Sequence, residues 1–286
     1  MTDRKGPENI LVCVDGSEYT ESSVAHAVWL SQLIGSEKIR VHYVTDVSKF
    51  RIPLVNEMGS SVGLQSCNGL FSELYEQEKA NVRLIEDRVR KTFEESDSKV
   101  NYEFVADQGF PLDALKLEDV DYSHLVIGKR GENRAADASH LGSHMCDFIE
   151  HARQTCLVSS ASYSPIAKCL MLVFEESDLQ LQLDYWKELS VNFEFVIAIA
   201  EKKVSQSKIS EAAEELEFRG LKVSVSEGIF ENAESVRDLL QRKQCEAVSV
   251  VWNSAPKWLS FFKKGDLLPV MNICRVPFLI IPKEKN

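Results

Sequence analysis

The stretch ILVCVDGS, residues Ile10–Ser17, opens with five consecutive apolar residues and ends in polar ones. A continuous apolar run is typical of a parallel strand that is covered on both faces. Gly16 breaks this strand, and Ser17 is a favourable N-cap for a following helix. The stretch therefore predicts a buried strand that turns directly into a helix, as in a parallel α/β fold.

The residues that follow alternate between helical and strand patterns. Predicted helices cover residues 17–34, 71–93, 110–117 and 143–152, and predicted strands cover Ile39–Val44, Val100–Val105, His124–Ile127 and Thr155–Val158. Strands that alternate with helices favour a mainly parallel sheet, and right-handed crossovers place helices on both of its faces. The segment 46–68 is predicted to be a long, irregular connection.

The pattern restarts after a short linker rich in Ser, Ala and Pro, residues 159–165. The stretch LMLVFEES, residues Leu170–Ser177, repeats the pattern of Ile10–Ser17, with Glu175 in the place of Asp15. Such a repeat indicates an internal duplication. We therefore expect two tandem α/β domains, residues 1–160 and 166–286, each with a five-stranded, mainly parallel sheet and helices on both faces.

Composition limits the classes of partner. The formal net charge of −11 disfavours nucleic acid, because an acidic chain repels phosphate backbones. No stretch approaches the roughly 18 consecutive apolar residues of a membrane-spanning helix, and the first residues are polar, so we expect a cytoplasmic protein without membrane contact. Seven cysteines without Cys-x-x-Cys spacing are expected to be reduced core residues, and we expect no metal site.

A glycine-containing loop follows the strand His124–Ile127 and carries the strongest functional signal. It contains Gly128, Lys129, Arg130 and Gly131, followed after ten residues by Gly142 and Ser143. Ligands of open α/β sheets bind at the carboxyl ends of strands, and glycines allow backbone N–H groups to approach an anion. The helix start at the serine and the two basic side chains would add to phosphate binding. Alternatively, the glycines only turn the chain.

Four segments of the first half resemble the universal stress protein family: Ile10–Glu18, Val41–Asp46, Gln108–Pro111 and Leu125–Gly131. The likeness covers residues 8–160 well and residues 166–283 more faintly. The resemblance implies a role in stress tolerance and, in members that bind it, ATP or a related adenine nucleotide as ligand. In that family the loop has nine residues between its second and third glycines, whereas this chain has ten.

The resemblance also implies roles for individual residues of the first half. Asp15 and the backbone of Val44 would face the adenine. The ribose would lie against Ile127 and Gly128. The phosphate-binding residues would be Gly131, Gly142 and Ser143. Arg130 is added to them from the loop sequence alone, as a positive charge.

The second half departs from this pattern. Asn253 and Pro256 stand in the places of the first two glycines, and Asp266 replaces the serine. Proline removes a backbone donor, and a carboxylate repels phosphate. We therefore expect no triphosphate site in this half.

A binding module that is not an enzyme is the leading hypothesis, because no general base, P-loop or Gly-x-Ser-x-Gly motif accompanies the loop. No catalytic residue is assigned. The alternative is a nucleotide-free interaction protein of the same fold, and the sequence leaves a homo-oligomer or a protein partner open. An adenylate-handling enzyme is disfavoured, because the Ser-Gly-Gly-x-Asp-Ser and His-x-Gly-His loops of such enzymes are missing.

The arrangement of the two halves also follows from the resemblance. Domains of that family pair through their last strands, so Thr155–Val158 and Phe278–Ile281 are expected to lie near each other as in a dimer within one chain. We expect them to meet between two separate sheets and not inside one continuous sheet.

Overall fold

The computed structural model describes residues 9–46, 64–96, 98–109, 122–130, 145, 149, 154–187, 189, 193–199, 204–230, 232–252 and 267–283. The first half contains β1 (Ile10–Val14), α1 (Tyr19–Ile34), β2 (Lys38–Asp46), α2 (Leu64–Glu95), β3 (Asn101–Gly109), β4 (His124–Gly128) and β5 (Thr155–Ser159). The second half contains β6 (Lys168–Val173), α3 (Glu176–Lys187), β7 (Glu194–Ile199), α4 (Gln206–Phe218), β8 (Lys222–Ile229), α5 (Ala233–Lys243), β9 (Ala247–Trp252), α6 (Leu267–Ile273) and β10 (Phe278–Pro282).

The ten strands of the described residues form one sheet in the order β3-β2-β1-β4-β5-β10-β9-β6-β7-β8. Five strands belong to each half, and within each half the strands pair in parallel and in the same relative order. The α/β class with a mainly parallel sheet is therefore confirmed, and the repeated strand order is compatible with the tandem layout.

The two halves join through their last strands, which pair antiparallel with Leu157 opposite Leu279. The expected proximity of these strands is confirmed, but the expectation of two separate sheets is wrong. The physical reason is that the backbone groups of β5 and β10 hydrogen-bond directly to each other, which leaves neither strand as a sheet edge.

Helices cover both faces of this sheet. Val12 and Leu157 point to the face that is packed by α1, α2, α3 and α4, whereas Leu11 and Phe278 point to the face that is packed by α5 and α6. Met145 and Ile149, both helical and buried, also pack on the second face. Neighbouring residues of β1 are fully buried on opposite faces, which explains the continuous apolar run of the strand.

Several element boundaries differ from the predicted ones. α2 begins at Leu64, within the segment predicted to be irregular, and β3 extends to Gly109. Ser17 is not the N-cap, because Glu18 precedes the first helical residue, and the Ser17 hydroxyl instead accepts a hydrogen bond from the Tyr19 N–H. The predicted helix 110–117 lies outside the described residues.

Candidate functional site

The carboxyl ends of three neighbouring strands form the candidate site. β1 pairs with β2 on one side and with β4 on the other, so the chain order reverses at β1. This is the switch point at which open α/β sheets bind ligands. The structure therefore brings Asp15, Val44 and Gly128 to the carboxyl ends of three adjacent strands, and a ligand at this place stays a prediction.

The turn from β1 into α1 presents Asp15. Gly16 has a φ of 83°, a left-handed conformation that favours glycine, and an added Cβ would lie 3.0 Å from Ile85 Cδ1. The Asp15 carboxylate accepts a hydrogen bond from the Ser17 N–H at 3.1 Å. This local hydrogen bond fixes the orientation of the carboxylate at the carboxyl end of β1.

Arg88 of α2 holds the same turn in place. Its guanidinium donates to both carboxylate oxygens of Glu21 at 2.6 Å. It also donates to the carbonyl oxygens of Gly16 at 2.7 Å and Ser17 at 2.9 Å. The hydrogen bond from Arg88 lowers the pKa of Glu21, which keeps the pair charged. Arg88 is not predictable from the sequence, because nothing in the local pattern links it to a turn 72 residues earlier.

The end of β2 is braced by α2 as well. Glu78 accepts hydrogen bonds from Tyr43 Oη at 2.8 Å and Thr45 Oγ1 at 2.6 Å, and Asn81 donates to Tyr43 Oη. Val44 lies between these two residues and is half-buried. These contacts connect the end of β2 to α2, and the Val44 backbone lies beside β1.

Gly128 is required for packing at the end of β4. An added Cβ would lie 2.8 Å from Tyr19 Cβ, closer than carbon atoms can approach. Ile127 is buried, with 2% of its surface exposed. Ile127 is therefore covered by the protein itself, and the glycine lets α1 approach the strand.

Lys129 points away from the expected ligand. Its ammonium donates to the carbonyl oxygens of Cys274 and Val276, both at 2.7 Å, and lies 4.8 Å from the centre of the Phe278 ring. The side chain is only 2% exposed, and burial lowers the pKa of Lys129 to about 7. The interpretation of Lys129 as a positive charge for phosphate binding is therefore wrong in this structure, because its amine is buried against the backbone of the second half.

Arg130 contacts both halves. Its guanidinium donates to Tyr19 Oη at 3.0 Å and to Asn272 Oδ1 at 2.8 Å. The remaining predicted phosphate-binding residues, Gly131, Gly142 and Ser143, lie outside the described residues, so their role stays a prediction.

The corresponding strand end of the second half has different chemistry. Glu175, in the position of Asp15, forms an ion pair with Lys283, which also donates to Ser177 Oγ at 2.7 Å. Asp178 lies 3.4 Å from the same ammonium. Lys283, the residue directly after β10, therefore pairs with Glu175, the carboxylate that corresponds to Asp15. The predicted departures at Asn253, Pro256 and Asp266 lie outside the described residues.

Comparisons with known proteins establish the family of the chain. The sequence model of the universal stress protein family matches residues 7–160. The chain belongs to the universal stress protein family. Universal stress protein Slr1230 of Synechocystis is 28% identical over 169 residues, which is 57% of this chain and 58% of that protein. The chain therefore matches less than two thirds of the length of this curated universal stress protein.

Solved structures share the fold over nearly the whole chain. A universal stress protein from Archaeoglobus fulgidus has a TM-score of 0.65 at 12% identity, with 98% of this chain and 97% of that chain covered. A functionally unknown protein from Pseudomonas aeruginosa has a TM-score of 0.53 at 11% identity, with 97% and 93% covered. At these identities the likeness concerns the universal stress protein fold alone.

The described part of the chain also bears on other classes of site. None of its helices has the length and apolar character needed to cross a membrane. Within the same residues, no cluster of three or more His, Cys, Asp or Glu side chains is arranged to hold a metal ion.

Proposed function

We propose that the first half binds an adenine nucleotide, ATP or a close relative, as a regulatory ligand. The observation that carries the proposal is the meeting of Asp15, Val44 and Gly128 at the switch point between β2, β1 and β4. A ligand held there would shift the population of conformations or partner complexes, because binding stabilises whichever state binds it better.

The polar groups at this edge suit adenine. The Asp15 carboxylate, oriented by the Ser17 N–H, can accept a hydrogen bond from the exocyclic amino group of the base. The backbone of Val44 supplies further donors and acceptors at the neighbouring strand end. Arg88 supports this role indirectly, because it fixes the turn that carries Asp15.

The phosphates are assigned to Gly131, Gly142 and Ser143, with Arg130 as the nearby positive charge. Free backbone N–H groups at a loop and a helix start bind phosphate without a P-loop lysine. We assign no catalytic residue and expect any hydrolysis to be slow. In the second half, the ion pair of Glu175 with Lys283 supports the proposal that no nucleotide binds there.

A nucleotide-free interaction protein is the second candidate function, and one observation favours it. Lys129 and Arg130, the two residues between Gly128 and Gly131, both contact the second half. These contacts are consistent with a loop that stabilises the interface between the two halves. Such a protein would act in the cytoplasm through a further copy or another protein partner.

Mass spectrometry of the purified protein separates the two functions. Native spectra are compared with denaturing spectra of the same sample. A mass difference equal to AMP, ADP or ATP supports the nucleotide-binding function. A chain that carries no nucleotide and gains none after incubation with ATP supports the interaction protein.

A further inference from the structure

A groove lies at the edge of the sheet where the strands of the second half begin. One of its walls is formed by the carboxyl-terminal turns of α5, including Leu240, and the other by the connection from α6 to β10, including Ile273. Lys168 and Glu194, the first residues of β6 and β7, also line it. The groove has a volume of about 1000 Å³, which is much larger than one aromatic side chain.

The charged side chains of the groove leave two guanidinium groups available. Both of its carboxylates already have partners, because Glu194 pairs with Lys168 at 2.7 Å and Glu246 accepts from two backbone N–H groups. Arg237 has one exposed ion pair, with its neighbour in sequence, and such pairs contribute little. Arg275 is exposed and has no ion pair among the described residues. The groove therefore presents positive charge beside an apolar strip.

The end of α4 has the complementary chemistry. Phe218 is 93% exposed, and Glu214 lies four residues before it on the same face of the helix. Glu214 and the neighbouring Glu217 are exposed and form no ion pair within the part of the chain that the structure describes. One exposed apolar residue is common on protein surfaces. An exposed aromatic ring with two unpaired carboxylates, here called the α4 patch, matches the apolar strip and the two guanidinium groups of the groove.

The α4 patch and the groove lie at the same edge of the sheet. Phe218 is four residues before Lys222, the first residue of β8, and Lys222 pairs with Glu194, which lines the groove. A two-fold axis at this edge can therefore bring the patch of each of two copies to the groove of the other. Such a reciprocal contact uses the same surface on both copies and closes at a dimer.

We propose that this edge is an interface between two copies of the chain, in which the α4 patch of each copy docks in the groove of the other. The net charge of −11 makes two copies repel each other in general, so local complementarity decides which surfaces can meet. No residue of the patch or the groove is assigned to the nucleotide. The inference therefore goes beyond the proposed function and does not depend on it.

Both partners of this contact are held in place before association. The end of α4 is closed by hydrogen bonds from the Leu221 N–H to the Leu216 carbonyl at 3.2 Å and from Arg219 to the Lys187 carbonyl at 2.9 Å. The groove wall between α6 and β10 is held by Lys129, which donates to two of its carbonyl groups. Rigid partners lose less conformational entropy on binding, which favours association.

Charge reversal tests the pairing of patch and groove. One variant carries Glu214→Arg with Glu217→Arg, and a second carries Arg237→Glu with Arg275→Glu. Each full-length chain is measured alone and in an equimolar mixture by sedimentation equilibrium, after thermal unfolding confirms that it is folded. If the second variant is unfolded, Arg275→Glu alone replaces it. In either variant alone, patch and groove carry the same sign of charge, whereas in the mixture every patch meets a groove of opposite charge.

We expect the parent and the mixture to form dimers, and each variant alone to associate at least about tenfold more weakly. Phe218→Ser should weaken the dimer of the parent by about tenfold or more, because it removes the central apolar contact. Leu84→Ser, which changes a 60% exposed leucine of α2, is the matched control and should leave the dimer unchanged.

Three results overturn the interface. They are a monomeric parent, a mixture that associates no better than its two components, and an undiminished dimer of the Phe218→Ser chain. Growth of the parent into species larger than a dimer also overturns it, because a reciprocal contact closes at two copies.

Discussion

Lys129 Nζ lies 2.7 Å from the carbonyl oxygen of Cys274, so a charged side chain of the first half is buried against the backbone of the second. Only 2% of Lys129 is exposed, and burial lowers its pKa to about 7. Desolvation of the ammonium costs stability, whereas the neutral amine still donates to the two carbonyl groups.

The pH dependence of stability should reveal this lysine. Its pKa is near 7 when folded and about 10.4 when unfolded, so the unfolded chain binds more protons between these values. The free energy of unfolding of the parent, relative to Lys129→Met, should therefore rise as the pH increases from 7 to 10. The rise is at most about 1.4 kcal/mol per pH unit and disappears below pH 7.

Urea unfolding at pH 6, 7, 8 and 9 measures this difference. Lys91→Met is the control, because the Lys91 side chain is 74% exposed. Its stability should follow that of the parent at every pH. If the difference in the free energy of unfolding between the parent and Lys129→Met stays constant from pH 6 to pH 9, Lys129 keeps an ordinary pKa and is not buried between the two halves.

Arg88→Met should destabilise the turn that carries Asp15. The change removes four charge-assisted hydrogen bonds, two of them to backbone carbonyl groups. We expect a loss of about 2–3 kcal/mol in the free energy of unfolding. Arg90→Met, which removes an exposed ion pair with Asp87, should cost less than about 1 kcal/mol. Equal losses for the two variants would remove Arg88 from its proposed role.

Asp15→Ala should weaken binding of an adenine nucleotide. A hydrogen bond to a charged group contributes about 1.5–3 kcal/mol, which corresponds to a loss of roughly tenfold or more in affinity. Asp15→Asn keeps an acceptor for the Ser17 N–H and separates the effect of the turn from that of the charge. Equal affinities of Asp15→Ala and the parent by calorimetry would exclude Asp15 from the site.

Gly128→Ala should destabilise the protein because its Cβ would lie 2.8 Å from Tyr19 Cβ. Overpacking of this kind costs about 1–3 kcal/mol. Gly109→Ala is a matched control at the end of another strand, since an added Cβ there meets no atom within 4 Å. Thermal unfolding should show a lower midpoint for Gly128→Ala alone. Two unchanged midpoints would mean that α1 does not pack on Gly128.

The patterns of single strands and helices are strong predictors of this fold. The run Ile10–Val14 predicts burial on both faces, and Leu11 and Val12 are indeed fully buried on opposite faces. The continuity of the sheet could not be predicted in the same way. β5 and β10 are apolar strands, and apolarity does not distinguish pairing within one sheet from packing between two sheets.

The candidate site was only partly predictable. Asp15 and Gly128 are found from strand ends, because parallel strands bring their carboxyl ends together, whereas Val44 is indicated only by the resemblance to the universal stress protein family. Arg88 was missed because its partners are distant in sequence, and the local helix pattern carries no sign of them. Lys129 was misinterpreted because lysine is almost never fully buried, so a lysine in a predicted loop indicates an exposed charge.

The number of nucleotides bound per chain tests the central claim most directly. Calorimetric titration of the full-length chain with ATP should give one site per chain. Gly131→Val should abolish binding by blocking backbone approach to the phosphates, whereas Gly265→Val should leave it unchanged. Two equivalent sites per chain would contradict the claim that only the first half binds a nucleotide. No binding of ATP, ADP or AMP would contradict the nucleotide-binding function and favour the nucleotide-free interaction protein.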